Sequence, residues 1–146
     1  MGAVVPHLDR CCCRSVRSGR EVCGAQVSAA NKAKGSRWER ELEDYFNESG
    51  TKARRLPRAG AKDIGDVAVE FTNGHVIVIE AKNVKAADLA EFLRQAEVEA
   101  HNYEVKYDTI AYGVVAMKSR QKGVGDGKVV MTVDTLLNLL KWESLA

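Results

Sequence analysis

The sequence predicts an α/β fold, a sheet with helices packed on it, in the order α-β-β-β-α-β-β-α. Three observations carry that expectation. Apolar residues recur at helical spacing after Ser36 and again after Asp88. Short Val- and Ile-rich runs separate those stretches. Asn73-Gly74 sits between two such runs as a tight hairpin turn.

Taken in order, Ser36-Arg37-Trp38-Glu39 fits a capping box, so the first helix and the domain are expected to open there. Trp38, Leu42, Tyr45 and Phe46 give that helix one apolar stripe, and Glu48-Ser49-Gly50 ends it. Thr51–Leu56 reads as a strand and Pro57–Gly65 as a loop. Asp66–Phe71 and His75–Lys82 form the hairpin. Asp88 to about Tyr103 reads as a second helix with Leu89, Phe92, Leu93 and Ala96 on its buried side. Thr109–Met117 is a strongly apolar strand, Lys118–Gly127 a basic, Gly-rich loop and Val129–Val133 another strand. Asp134 or Thr135 is expected to cap a last helix, Leu136–Trp142.

The chain has 146 residues, the size of one domain with a tail, and no run approaches the roughly 20 apolar residues of a membrane span. Its net charge of +2 hides an asymmetry. Residues 1–34 carry six Lys or Arg against Asp9 and Glu21, while the rest has 16 basic against 18 acidic residues. Residues 1–33 lack either periodicity and are expected to be a disordered, basic, Cys-containing extension, with the domain spanning 34–146. No apolar run of the length a signal peptide needs follows the early charges. A second reading is that translation starts near Val27 and the preceding segment is not made. All four cysteines fall in the first 23 residues at spacings unlike a zinc finger, so an intracellular protein without a disulfide framework is expected. Lys52, Arg54, Arg55, Arg58 and Lys62 place five cations in eleven residues with no acid among them. That is a candidate phosphate-contacting patch or a solvated loop.

The chemistry concentrates in Val76-Ile77-Val78-Ile79-Glu80-Ala81-Lys82. Residues two apart on a strand share a face, so Glu80 and Lys82 point the same way from an apolar strand. The hairpin brings Asp66 close to Glu80. Two carboxylates beside a lysine suit a divalent cation, for which Mg²⁺ prefers oxygen ligands and keeps several waters. The carbonyl of Ala81 is a third candidate ligand, and Mn²⁺ suits the same donors. Asp63 competes with Asp66 for the metal. Gln95, Glu99 and Asn102 fall on one polar stripe of the second helix, a functional or a solvated face. His7, His75 and His101 are isolated, and no cysteine or serine nucleophile is implied.

Together, Lys34-Gly35, Glu39-Arg40-Glu41-Leu42, Arg58-Ala59-Gly60, Asp66 and Ile79-Glu80-Ala81-Lys82 resemble the archaeal-type Holliday junction resolvases of the PD-(D/E)xK nuclease superfamily. The resemblance runs from Lys34 to about Lys85 and more weakly to Asn102, with eight residues from Arg58 to Asp66 and fourteen from Asp66 to Glu80. It implies a restriction-endonuclease-like core, a mixed central sheet flanked by helices. It also implies that Asp66 and Glu80 bind Mg²⁺, that Lys82 assists the attacking water, that Glu39 reaches the site from the first helix as a catalytic group and further metal ligand, and that Arg58 contacts the scissile phosphate. Gly65 stands where the family usually has proline. Arg54, Arg55, Lys62 and Gln95 complete the expected DNA surface. The expected function is a metal-dependent, structure-selective endonuclease acting on four-way DNA junctions as a homodimer. The alternatives are a restriction-like, nicking or phage recombination nuclease on the same core, or an inactive DNA-binding module.

Overall fold

The computed structural model describes the backbone of residues 24–57, 62–85 and 88–143. The elements follow the expected order: helix α1 (Gly24–Glu48), strands β1 (Lys52–Arg55), β2 (Val67–Glu70) and β3 (Val76–Lys82), helix α2 (Leu89–Tyr107), strand β4 (Ala111–Met117), a 3₁₀ turn (Val124–Asp126), strand β5 (Lys128–Val130) and helix α3 (Val133–Glu143). The strands form one mixed sheet in the order β1-β2-β3-β4-β5. Among the described residues only β3 and β4 pair in parallel, joined by α2 as the crossover such a pair requires.

Helix α1 begins at Gly24, not after Ser36, so the expected capping box does not form. Ala29, Ala30, Lys32, Ala33 and Lys34 are strong helix formers and carry the helix through Ser36. The hydroxyl of Ser36 instead accepts a hydrogen bond from Arg55 Nη2 at 3.0 Å. The expected disordered stretch is therefore helical over 24–33, whereas the four cysteines lie outside the described residues. The helix ends as expected: Gly50 takes φ +86°, Thr51 N donates to the carbonyl of Phe46, and Gly50 N to that of Asn47. That pair of bonds is a Schellman cap. Asn47 then clamps the next strand, donating to the Ala53 carbonyl at 3.0 Å and accepting from Ala53 N at 2.9 Å.

The hairpin turn is one residue longer than the Asn73-Gly74 dipeptide suggests. Phe71 N donates to the His75 carbonyl and Gly74 N to the Phe71 carbonyl, enclosing Thr72, Asn73 and Gly74. Gly74 sits at φ +83°, the left-handed position a three-residue loop demands. The loop sets Val67 opposite Ile79 and Ala68 opposite Val78. Continuing that register places Asp66 beside Glu80.

Each face of the sheet has its own core. Trp38 and Leu42 of α1 pack on Val67, Val69, Ile79, Val114 and Ala116, and Trp38 Nε1 donates to the Ala116 carbonyl at 3.0 Å. On the other face Ala100 and Tyr103 of α2 pack on Leu56, Ile64, Ala68, Val76 and Val78. Tyr45, expected inside, is 44% exposed, because α1 turns it toward the 3₁₀ turn. Leu89 is likewise exposed at 45%. The buried stripe of α2 is Ala96, Glu99, Ala100 and Tyr103, one turn later than expected. This stripe approaches β4 closely at Gly113, where a Cβ would lie 2.2 Å from the Ala96 carbonyl oxygen. Helix α3 starts at Val133, and Thr132, rather than Asp134 or Thr135, caps it by accepting from Thr135 N at 3.1 Å.

Candidate active site

Asp66, Glu80 and Lys82 project from the α2 face of the sheet, the side of Ala68, Val76 and Val78. Asp66 precedes β2, and its Oδ2 accepts from Ala81 N at 2.9 Å, fixing it across the hairpin from Glu80. Glu80 Oε1 pairs with Lys82 Nζ, and both side chains are largely buried, 12% and 18% exposed. Lys82 Nζ also donates to Gln95 Oε1 at 3.3 Å and lies 4.7 Å from the centre of the Phe92 ring. Gln95, expected on the DNA surface, thus holds the lysine from α2. The sequence reading brought Asp66, Glu80 and Lys82 together on one face, and the structure does the same.

A carboxyl group that sequence reasoning set aside completes the cluster. Glu99 is buried, only 7% exposed, and shares a hydrogen bond with Glu80. Burial, reinforced by the neighbouring charges of Glu80, Asp63 and Asp66, pushes its carboxyl up to about 9. Its Oε2 has no hydrogen-bond partner. The signal was present as Ala96-x-x-Glu99-Ala100-x-x-Tyr103, a buried stripe read as a polar one because glutamate occupied its centre. Asp63 stands at the rim. Its Oδ1 accepts from Gly65 N at 3.3 Å, and its carbonyl accepts from Asn102 Nδ2 at 2.8 Å.

Glu39 reaches the sheet from the α1 face. It is 4% exposed, and its Oε2 pairs with Arg55 Nη2 at 2.8 Å beside Ser36. An open cavity of about 440 Å³ lies there, lined by Lys32, Ser36, Glu39, Arg55, Leu56 and Pro57. Arg54, next on the strand, faces the other way. Its Nη2 donates to the Tyr103 hydroxyl at 2.6 Å, Nε pairs with Glu70 at 3.3 Å, and its guanidinium stacks near Tyr107. Arg54 and Arg55 therefore serve opposite faces. Lys62 is exposed beside Asp63, and Arg58 lies outside the described residues. Lys118, at the start of the basic loop, pairs with Glu41 and lies over the Trp38 ring.

Among the described residues no three His, Cys, Asp or Glu side chains are preformed around a metal ion. The donors nevertheless fit a hard divalent cation in kind. Asp66 and Glu80 supply carboxylate oxygens on one face, and Glu99 Oε2 is a buried oxygen still lacking a partner. Lys82 now occupies the Glu80 oxygen that such an ion would contest. Among the described residues no helix is long and apolar enough to cross a membrane.

Comparison with known proteins gives the same identity as the residues. The family described as archaeal Holliday junction resolvase (Hjc) matches residues 30–138. No curated protein matches the chain.

Proposed function

Because this chain belongs to the archaeal Holliday junction resolvases, we propose that it is a metal-dependent, structure-selective endodeoxyribonuclease that hydrolyses phosphodiester bonds in four-way DNA junctions. The observation that carries the reading is the meeting of Asp66, Glu80 and Lys82 on one sheet face, in register across the β2–β3 hairpin. The reading assigns Asp66 and Glu80, with the Ala81 carbonyl, to Mg²⁺, for which Mn²⁺ can substitute. When bound, the ion polarises the phosphoryl group and lowers the pKa of a coordinated water.

The chain's own groups do the rest. Lys82, held by Gln95 and backed by Phe92, orients the attacking water and stabilises negative charge gathering on the phosphoryl oxygens. Water adds at phosphorus, the bond to the 3′ oxygen breaks, and a proton from solvent completes the 3′ hydroxyl; the phosphate stays on the 5′ end. Glu39 and Arg55 act at the edge of the site, where the guanidinium can exchange its carboxylate for a DNA phosphate. Lys62 lies beside Asp63 as a further phosphate contact, and Arg58 completes that surface as the resemblance implies. Arg54 is assigned to packing, because its guanidinium is committed to Glu70 and to Tyr103 of α2. Paired cuts need two sites, so the working form is a homodimer with isologous contacts.

The test is cleavage of an end-labelled four-way junction beside linear duplex, flap and single strand, in Mg²⁺ or EDTA, with wild type and Glu80→Gln. Paired, metal-dependent cuts in the junction alone, lost in the variant, are expected. Cutting of all substrates alike would remove the junction assignment. Tight junction binding without cutting in either Mg²⁺ or Mn²⁺ would leave a DNA-binding module.

A further inference from the structure

We propose that Glu99 is a further oxygen ligand of the divalent cation, contributed from α2 to the site formed by Asp66 and Glu80. The proposal rests on the functional reading above, because it adds a donor to that same site.

Glu99 lies in the buried stripe of α2 between Ala96, Ala100 and Tyr103, a position that an apolar residue fills at no electrostatic cost. The acidic groups around it are Glu80, Asp63 and Asp66. The lysine of the cluster, Lys82, is committed to Glu80 and Gln95. A buried carboxyl among carboxylates, with no cation of its own, is destabilising.

Its second oxygen gives the direction. Oε2 is buried and without a hydrogen-bond partner, and it lies 3.8 Å from the point a Cβ on Gly65 would occupy. Gly65 immediately precedes Asp66, so this oxygen looks toward the end of the hairpin where Asp66 and Glu80 meet. The contact between the carboxyl groups of Glu99 and Glu80 lets one cation meet both. Glu99 thus gives the cation a ligand from a separate element, helix α2, whose backbone rests on β4 at Gly113.

Mn²⁺ binding to the full chain, measured by calorimetry and by the electron paramagnetic resonance of free Mn²⁺, tests the proposal in wild type, Glu99→Gln and Glu80→Gln. Loss of a ligand should weaken Mn²⁺ binding by roughly tenfold or more in Glu99→Gln. The metal-free variant should melt no lower than wild type at pH 8, because the change removes a buried acid from among acids. A merely structural Glu99 would give the reverse, a lower melting temperature with unchanged Mn²⁺ affinity, and that result overturns the proposal. If Glu80→Gln loses Mn²⁺ binding while Glu99→Gln keeps it, the site stands and Glu99 is not a ligand. If neither variant loses Mn²⁺ binding, the site reading fails and the proposal with it. Anomalous diffraction from wild-type crystals in Mn²⁺ decides independently of how the variants fold. A peak at coordination distance, about 2.0–2.6 Å, from a Glu99 oxygen supports the assignment, and a bound ion lacking that contact refutes it.

Discussion

Replacing Gly65 by alanine adds one methyl group where the backbone and the core both resist it. Gly65 adopts φ +91°, a region that costs an L-residue about 1–2 kcal/mol. The added Cβ would lie 2.4 Å from Val78 Cγ1, far inside contact distance, and Val78 is 0% exposed with no room to turn away. Overpacking of that kind costs about 1–3 kcal/mol. The two effects are separable, so Gly65→Ala should lose about 2–5 kcal/mol, a large share of the roughly 5–15 kcal/mol that holds a domain together. For a chain of this length that is a fall in Tm of roughly 4–20 °C. Urea denaturation followed by tryptophan fluorescence should show the midpoint falling with an unchanged slope. Gly65→Pro should be worse still, although proline is what the family pattern usually has here. Its ring fixes φ near −65°, and it removes the N–H that donates to Asp63. An alanine variant that melts within a degree of wild type would refute both the positive φ and the crowding against Val78.

Three further outcomes follow from the site and its supports. Lys82→Ala should lower junction cleavage by roughly 100-fold or more while junction affinity changes little, because its role lies in the charge that develops during reaction; equal losses in binding and cleavage would place Lys82 on the DNA instead. Glu99 makes metal-free stability depend on pH. Its folded pKa of about 9 lies above its ordinary 4.5, so its contribution is complete below about 4.5 and is lost as pH rises toward 9. Urea midpoints in EDTA should therefore fall across that window, and the part of the slope due to Glu99 should vanish in Glu99→Gln. Trp38→Phe leaves the Ala116 carbonyl without its indole donor and should cost about 1–3 kcal/mol, read as a lower urea midpoint.

The hairpin shows how far the sequence could be read. A two-residue turn at Asn73-Gly74 would have paired Asp66 with Ala81 and put its side chain on the face opposite Glu80. The observed three-residue loop restores the meeting of the carboxylates. The pairing was legible from chemistry, because Glu80 and Lys82 stand out of an apolar strand, but not from turn length. The start of α1 was hidden for another reason: an Ala- and Lys-rich stretch is helical by propensity while showing no apolar stripe. Glu99 was hidden because periodicity reads hydrophobicity, and a buried acid subtracts from it. Arg54 and Arg55 look equivalent as charges, and only the alternation of β1, with Tyr103 on one side and Glu39 on the other, separates them.

The bond from Trp38 to Ala116 spans 78 positions of the chain, and it bears on the order in which the site comes into being. Asp66, Glu80 and Lys82 depend on a hairpin that closes through a three-residue loop, the kind of contact a chain forms early because it loses little loop entropy. Glu39, one residue beyond Trp38, arrives only when α1 docks and that long-range bond is made. On loop entropy alone, a partly opened chain is expected to hold the acid pair and the lysine before the glutamate and arginine of the α1 face, an order that pulsed hydrogen exchange checks. Buried Trp38 carries the fluorescent signal of that last closure.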